Sequence, residues 1–181
     1  MSKFFFTYQH VVKQMSNEEK LRLRIVDTKS NFLAASTGIE SLVESAISKH
    51  FDPSRTKIFV NVVFHNDNEI SFSKKIKMFE RLLTLALPDF LKDNPDLINM
   101  LNRIRKLRNK FAHAMDLNPD ELSPFIEKNY FQMAFYENGE VKKENFVFND
   151  IAKRNEEIGI SMSLIQQASY LLTLKHHPLE E

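Results

Sequence analysis

The spacing of apolar positions predicts long helices interrupted by two short β-like inserts. Ser16 and Glu19 have capping-box spacing, which starts a helix near Asn17. From there to about His50, the residues Phe32, Ala35, Ile39, Val43, Ala46 and Ile47 recur at helical intervals. Gly38 lies inside that stripe, where it costs helix propensity, so close approach of another backbone is its expected use. Pro53 ends the segment. The run Ile58 to Phe64 is β-branched and aromatic, is bounded by polar residues, and predicts a strand. A second helix is predicted from about Ser73 to Leu87, stopped by Pro88. Asn94-Pro95 then offers a cap residue followed by proline at the first helical position, opening a third helix to about Met115.

After Pro119 and Pro124 the period changes. Phe131, Met133 and Phe135 alternate, Asn138-Gly139 is a two-residue hairpin signal, and Val141 to Phe148 returns. Asp150 is placed to cap a final helix with Ile158, Met162, Ile165, Ser169 and Leu172 on one face. No internal repeat or low-complexity linker is present. The expected fold class is mainly α: a bundle of four or more helices with a small β-hairpin or sheet insertion. It is expected as one domain over residues 1–181, with β-like inserts at about 57–64 and 130–148.

Composition narrows the chemistry. A chain of 181 residues can bury a core without covalent staples. It contains no cysteine, which excludes disulfides and thiolate metal sites. No apolar run approaches a membrane span, and Phe4 to Phe6 are too few for a signal peptide, so a cytoplasmic protein without membrane contact is expected. The net charge of +1 exerts no global pull on nucleic acid, so any basic surface has to be local.

The third helix carries the most unusual pattern. Drawn as a wheel at about 100° per residue, Leu97, Met100, Leu101, Ile104, Leu107, Phe111 and Met115 form an apolar face. Arg108 falls within that face, where a burial pattern alone calls for leucine or methionine. A half-buried guanidinium needs an anion and several acceptors. Glu40 and Glu44, which border the apolar stripe of the first helix, are the candidate partners. Pinning two helices through such a pair is a complete structural explanation of Arg108. Arg105, Asn109 and His113 make a second, polar row, flanked by Lys106 and Lys110.

The stretch Arg108-Asn109-Lys110-Phe111-Ala112-His113, at the end of a long amphipathic helix, resembles the R-N-x-x-x-H signature of the HEPN superfamily. Phe72-Ser-Lys-Lys-Ile76 is similar to the segment before the second helix in bacterial relatives grouped with the mannitol operon repressor. The resemblance covers roughly Glu40 to Met115 and does not include the β-like inserts. It implies a metal-independent endoribonuclease, a toxin or defence protein, whose motif residues meet at a homodimer cleft. His113 is then the general acid/base for attack of an RNA 2′-hydroxyl on the neighbouring phosphate, Arg108 holds that phosphate, and Asn109 orients phosphate or histidine. Arg105, Lys106, Lys110, Lys74 and Lys75 are the candidate RNA contacts. No cofactor or metal is called for, and an antitoxin or regulatory protein is the expected partner besides RNA.

Residues five apart on an ideal helix point about 140° away from each other. Arg108 and His113 therefore share a site only if the helix unwinds at the histidine or a second copy completes it. The competing reading is a non-catalytic interaction module or transcriptional co-regulator, as the mannitol-repressor resemblance suggests. His176 and His177 lack ligand-spaced companions, and His10, His50 and His65 form no pattern. Lys74, Lys75 and Lys77 are either a phosphate contact or a solvated face. Phe59, Phe64, Phe131, Phe135, Phe146 and Phe148 are either stacking platforms for bases or the buried face of a small sheet.

Overall fold

Ser16 and Glu19 close a reciprocal box: the Glu19 N–H donates to Ser16 Oγ at 3.1 Å, and the Ser16 N–H donates to Glu19 Oε2 at 2.7 Å. They open α1, Asn17–Phe51, which carries acids in its first turn and bases in its last, as the helix dipole favours. The computed structural model describes residues 15–51, 54, 56–65, 70–115, 123–125, 128–137 and 139–176. Phe4 to Phe6, His10, Pro53, Pro119, Asn138 and His177, named above, lie outside them.

The chain is mainly helical with a small antiparallel sheet. After α1 come α2, Thr56–Phe59, running into a π-helical turn, Val60–Phe64, then α3, Phe72–Ala86, and α4, Pro88–Asp93. Next are α5, Leu97–His113, β1, Ala114–Met115, a 3₁₀ turn at Ser123–Phe125, and the strands β2, Tyr130–Glu137, and β3, Glu140–Val147. The last helix is α6, Phe148–His176.

The expected strand at 57–64 is helical instead. A strand needs a neighbour to pair its backbone, whereas a helical turn satisfies its own N–H and C=O groups. Here the helical turn buries Phe64 and brings Phe59 to 5.8 Å from Phe51 and 6.1 Å from Phe64, while Ile58 and Val62 stay in solvent. Local β propensity yields to that packing. Gly38 also departs from expectation: a Cβ there would meet nothing within 4 Å among the described residues.

Contacts cluster into two compact units, Met1–Leu33 with Lys110–Lys153 and Ala34–Asn109 with Arg154–Glu181. In the first, β2 pairs with β3 from Tyr130↔Val147 to Glu137↔Glu140, and β1 extends the sheet through Ala114↔Phe135. Gly139 takes the positive φ of +86° that the two-residue turn requires. The buried aromatic set is continuous: Phe32 meets Phe111 edge-on at 5.4 Å, Phe111 lies 5.5 Å from Phe146, and Phe131 lies 5.7 Å from Phe146 and 4.8 Å from Phe148. The aromatic strand residues Phe131, Phe146 and Phe148 are thus core and not stacking platforms. Arg24 caps the Phe148 ring from outside at 3.7 Å. α6 begins at Phe148, whose N–H donates to the Asn129 carbonyl, so Asp150 sits in the first turn and not at the cap.

In the second unit, Ile39, Val43 and Ile47 of α1, Ile76, Phe79 and Leu83 of α3, Leu97, Leu101 and Ile104 of α5, and Ile165 and Leu172 of α6 are all buried. Ser71 caps α3, its side chain accepting from the Lys74 N–H. Leu97 opens α5 two residues after Pro95, and α5 ends at His113, before the expected Met115. Arg103 bridges Asp96 at 2.8 Å and Glu157 at 3.1 Å, and Arg154 reaches Glu157 as well. Burial pushes the Glu157 carboxyl up, but hydrogen bonds from the two guanidiniums hold it below the usual carboxylate range. No described helix is long and apolar enough to cross a membrane.

Phe111 joins a helix to the sheet within its unit, so Phe111→Ala is expected to cost about 3–5 kcal/mol in urea unfolding. Tyr136→Ala, on an exposed side chain of the same sheet, should change stability by less than about 0.5 kcal/mol.

Candidate functional site

Thr37, Glu40, Ser41 and Glu44 recur at intervals of three and four residues, so they share one face of α1. Together with His65, with Ile70 to Ser73 and Lys75 at the start of α3, and with Arg105, Arg108 and Asn109 of α5, they line a pocket of about 540 Å3 within the second unit. Arg105, Arg108 and Asn109 span an arc of only about 100° on an ideal helix. The expected division between a core-facing Arg108 and a separate polar row is thereby closed for these three residues.

The charges alternate across the pocket floor. Lys75 Nζ donates to Glu40 Oε1 and Glu44 Oε1, each at 2.6 Å. The second oxygen of Glu40 lies 3.0 Å from Arg108 Nη1, and the second oxygen of Glu44 lies 3.1 Å from His65 Nε2. Lys75 is 2% exposed and Glu44 4%, so this pairing is what makes their burial tolerable. Desolvation works against the Lys75 ammonium, but the hydrogen bonds and charges of Glu40 and Glu44 outweigh it and raise its pKa above the ordinary lysine value. Rings back the cations, Phe64 lying 5.8 Å from Lys75 Nζ and Phe72 5.8 Å from Arg108 Cζ.

Three cations, Lys75, Arg105 and Arg108, face two carboxylates, so the lining has one surplus positive charge with His65 neutral. The surplus sits on Arg105, whose Nε is buried and has no hydrogen-bond partner among the described residues. Asn109 and the hydroxyls of Ser71 and Ser73 stand along the same wall, at the positive end of α3. An oxyanion with several acceptor oxygens fits this donor set.

The other sequence candidates fall elsewhere. Lys75, expected to contact phosphate, is enclosed by carboxylates, and Glu44, expected to meet Arg108, faces Lys75 and His65. Lys110 pairs with Glu144 at 2.5 Å within the first unit. Lys74, Lys106 and His113 are exposed and do not line the pocket. His65 carried no spacing signal, because its carboxylate partner is 21 residues away in the chain. Among the described residues no group of three or more His, Asp or Glu side chains could hold a metal ion. Comparison with family models, curated proteins and solved structures finds no match to this chain.

Replacing Lys75 by methionine leaves two buried carboxylates facing each other and is expected to cost about 3–5 kcal/mol near neutral pH. Because the folded pKa of Lys75 is raised, its contribution is complete below the unfolded value of about 10.4 and disappears as pH climbs through the folded one. Urea midpoints of wild type and Lys75→Met should therefore stay apart up to that pH and converge above it.

Proposed function

We propose that the chain is a HEPN-type protein acting on RNA, a metal-independent endoribonuclease of the toxin or defence kind working in the cytoplasm as a homodimer. The observation that carries this reading is the convergence of Arg105, Arg108 and Asn109 on one pocket with a surplus positive charge. Guanidiniums there would hold a phosphodiester and offset the charge that grows on its oxygens during attack. His113, exposed at the end of α5, would supply acid/base chemistry, a role that imidazole side chains commonly fill. Its direction on α5, about 140° from Arg108 on an ideal helix, is the reason to invoke a second copy across a two-fold axis. An antitoxin or regulatory protein would then act by covering that cleft.

A second reading, a non-catalytic interaction module or co-regulator like the mannitol-repressor group, is favoured by one observation. Arg108 is already engaged by Glu40 at 3.0 Å, as a purely structural arginine would be.

The two readings separate in an RNA cleavage assay run in EDTA. The nuclease reading expects 2′,3′-cyclic phosphate ends, with at least about a 100-fold loss of rate in both His113→Ala and Arg108→Ala. Wild-type protein that sediments as a dimer yet leaves varied RNAs intact would establish the interaction module instead. A strictly monomeric chain at micromolar concentration would remove the dimer cleft.

A further inference from the structure

Within the pocket itself, the histidine on the wall is His65, not His113. We propose that His65 is a proton-transfer residue of this site, oriented by Glu44, and that it touches the phosphate ester held by Arg105 and Arg108. The proposal rests on the reading of the pocket as an RNA site and adds to it a catalytic residue outside the R-N-x-x-x-H stretch.

The geometry assigns the tautomer. An ionised carboxylate can only accept, so His65 Nε2, at 3.1 Å from Glu44 Oε2, must be the nitrogen that carries hydrogen. That leaves the lone pair of neutral imidazole on Nδ1, which has no hydrogen-bond partner among the described residues. Glu44 is itself immobilised, 4% exposed and fixed through its other oxygen by Lys75, so the ring is anchored to a rigid group. The ring's side chain is 52% exposed, open enough to meet a ligand. A histidine braced by a buried carboxylate is the usual way to hold an acid/base group in one orientation. The charged groups facing it are Glu40 and Glu44 from α1, Lys75 from α3, and Arg105 and Arg108 from α5.

For an RNA phosphodiester the step balances without a co-reactant. Nδ1 accepts the proton of the 2′-hydroxyl as that oxygen bonds to phosphorus. The phosphorus–O5′ bond breaks with its electron pair on O5′, which takes a proton relayed from water through His113 of the second copy, and the products are a 2′,3′-cyclic phosphate and a 5′-hydroxyl. The imidazolium then returns its proton to the hydroxide so formed.

Two measurements on the full chain test this. In cleavage kinetics, His65→Gln is expected to lower kcat by about 100-fold or more while KM changes less than about threefold. Glu44→Gln should lower kcat by a smaller factor and leave KM in place. In histidine-labelled protein titrated with inorganic phosphate, the His65 Nδ1 resonance, identified by its loss in His65→Gln, should shift saturably, and the shift should vanish in Arg105→Ala. The half-exposed position of His65 makes a folded variant the expectation, and a thermal melt of His65→Gln verifies it. Cleavage by His65→Gln at the wild-type rate overturns the assignment while leaving the RNA reading intact. If wild type cleaves no RNA, that reading fails on its own, and the phosphate titration decides: a saturable shift sustains His65 as the phosphate-touching group, and its absence overturns it.

Discussion

A lysine ammonium buried between two carboxylates is the constraint around which the second unit's polar interior is organised. Lys75 has almost no contact with solvent, and an isolated ammonium in that position would lose its proton or unfold the site. Glu40 and Glu44 meet it at equal distances from adjacent turns of α1. Each carboxylate has a second oxygen, and each of those must be answered too. Arg108 answers one and His65 the other. The polar groups of α1, α3 and α5, with His65, are therefore joined into one chain of alternating charge, placed where the apolar stripes of those helices leave off.

The chemistry of the pocket follows from that arrangement. Once both carboxylates are matched, they no longer repel an incoming anion as free charges would. Arg105 stands beyond the end of the chain with a buried Nε that meets no acceptor among the described residues. A donor without a partner is costly inside a protein, and an oxyanion ligand removes the cost. The carboxylates thus hold the cations in place without cancelling the pocket's surplus positive charge.

How much of this was legible depended on whether a feature is local. The capping box at Ser16 and Glu19 and the Gly139 turn were readable because each is satisfied within a few residues of chain, whereas α3, expected from about Ser73, is capped at Ser71, which the sequence reading did not name. The segment 57–64 was not, since its β-branched composition says nothing about the absence of a strand to pair with. Arg108's demand for an acid was readable from its place in an apolar stripe, and Glu40 is that acid. The partners of His65 and Lys75 were out of reach of the sequence for one shared reason. They are α1 carboxylates 21 to 35 residues distant, which no periodicity reports. Gly38 shows the opposite failure, a local cost that no close contact explains.

Whether Arg108 is structural or functional is a poorly posed alternative. A guanidinium carries five N–H donors in a planar fork, and its Nη1 reaches one oxygen of Glu40. Its side chain is 28% exposed, so the fork is neither enclosed nor free. Glu40 is in turn held by Lys75, which stops it from following Arg108 toward solvent. A phosphate arriving in the pocket would meet an arginine already oriented, its rotamer entropy largely lost on folding and not on binding. The ion pair that stabilises the fold is then the same interaction that preorganises the donor, and removing Glu40 should loosen both at once.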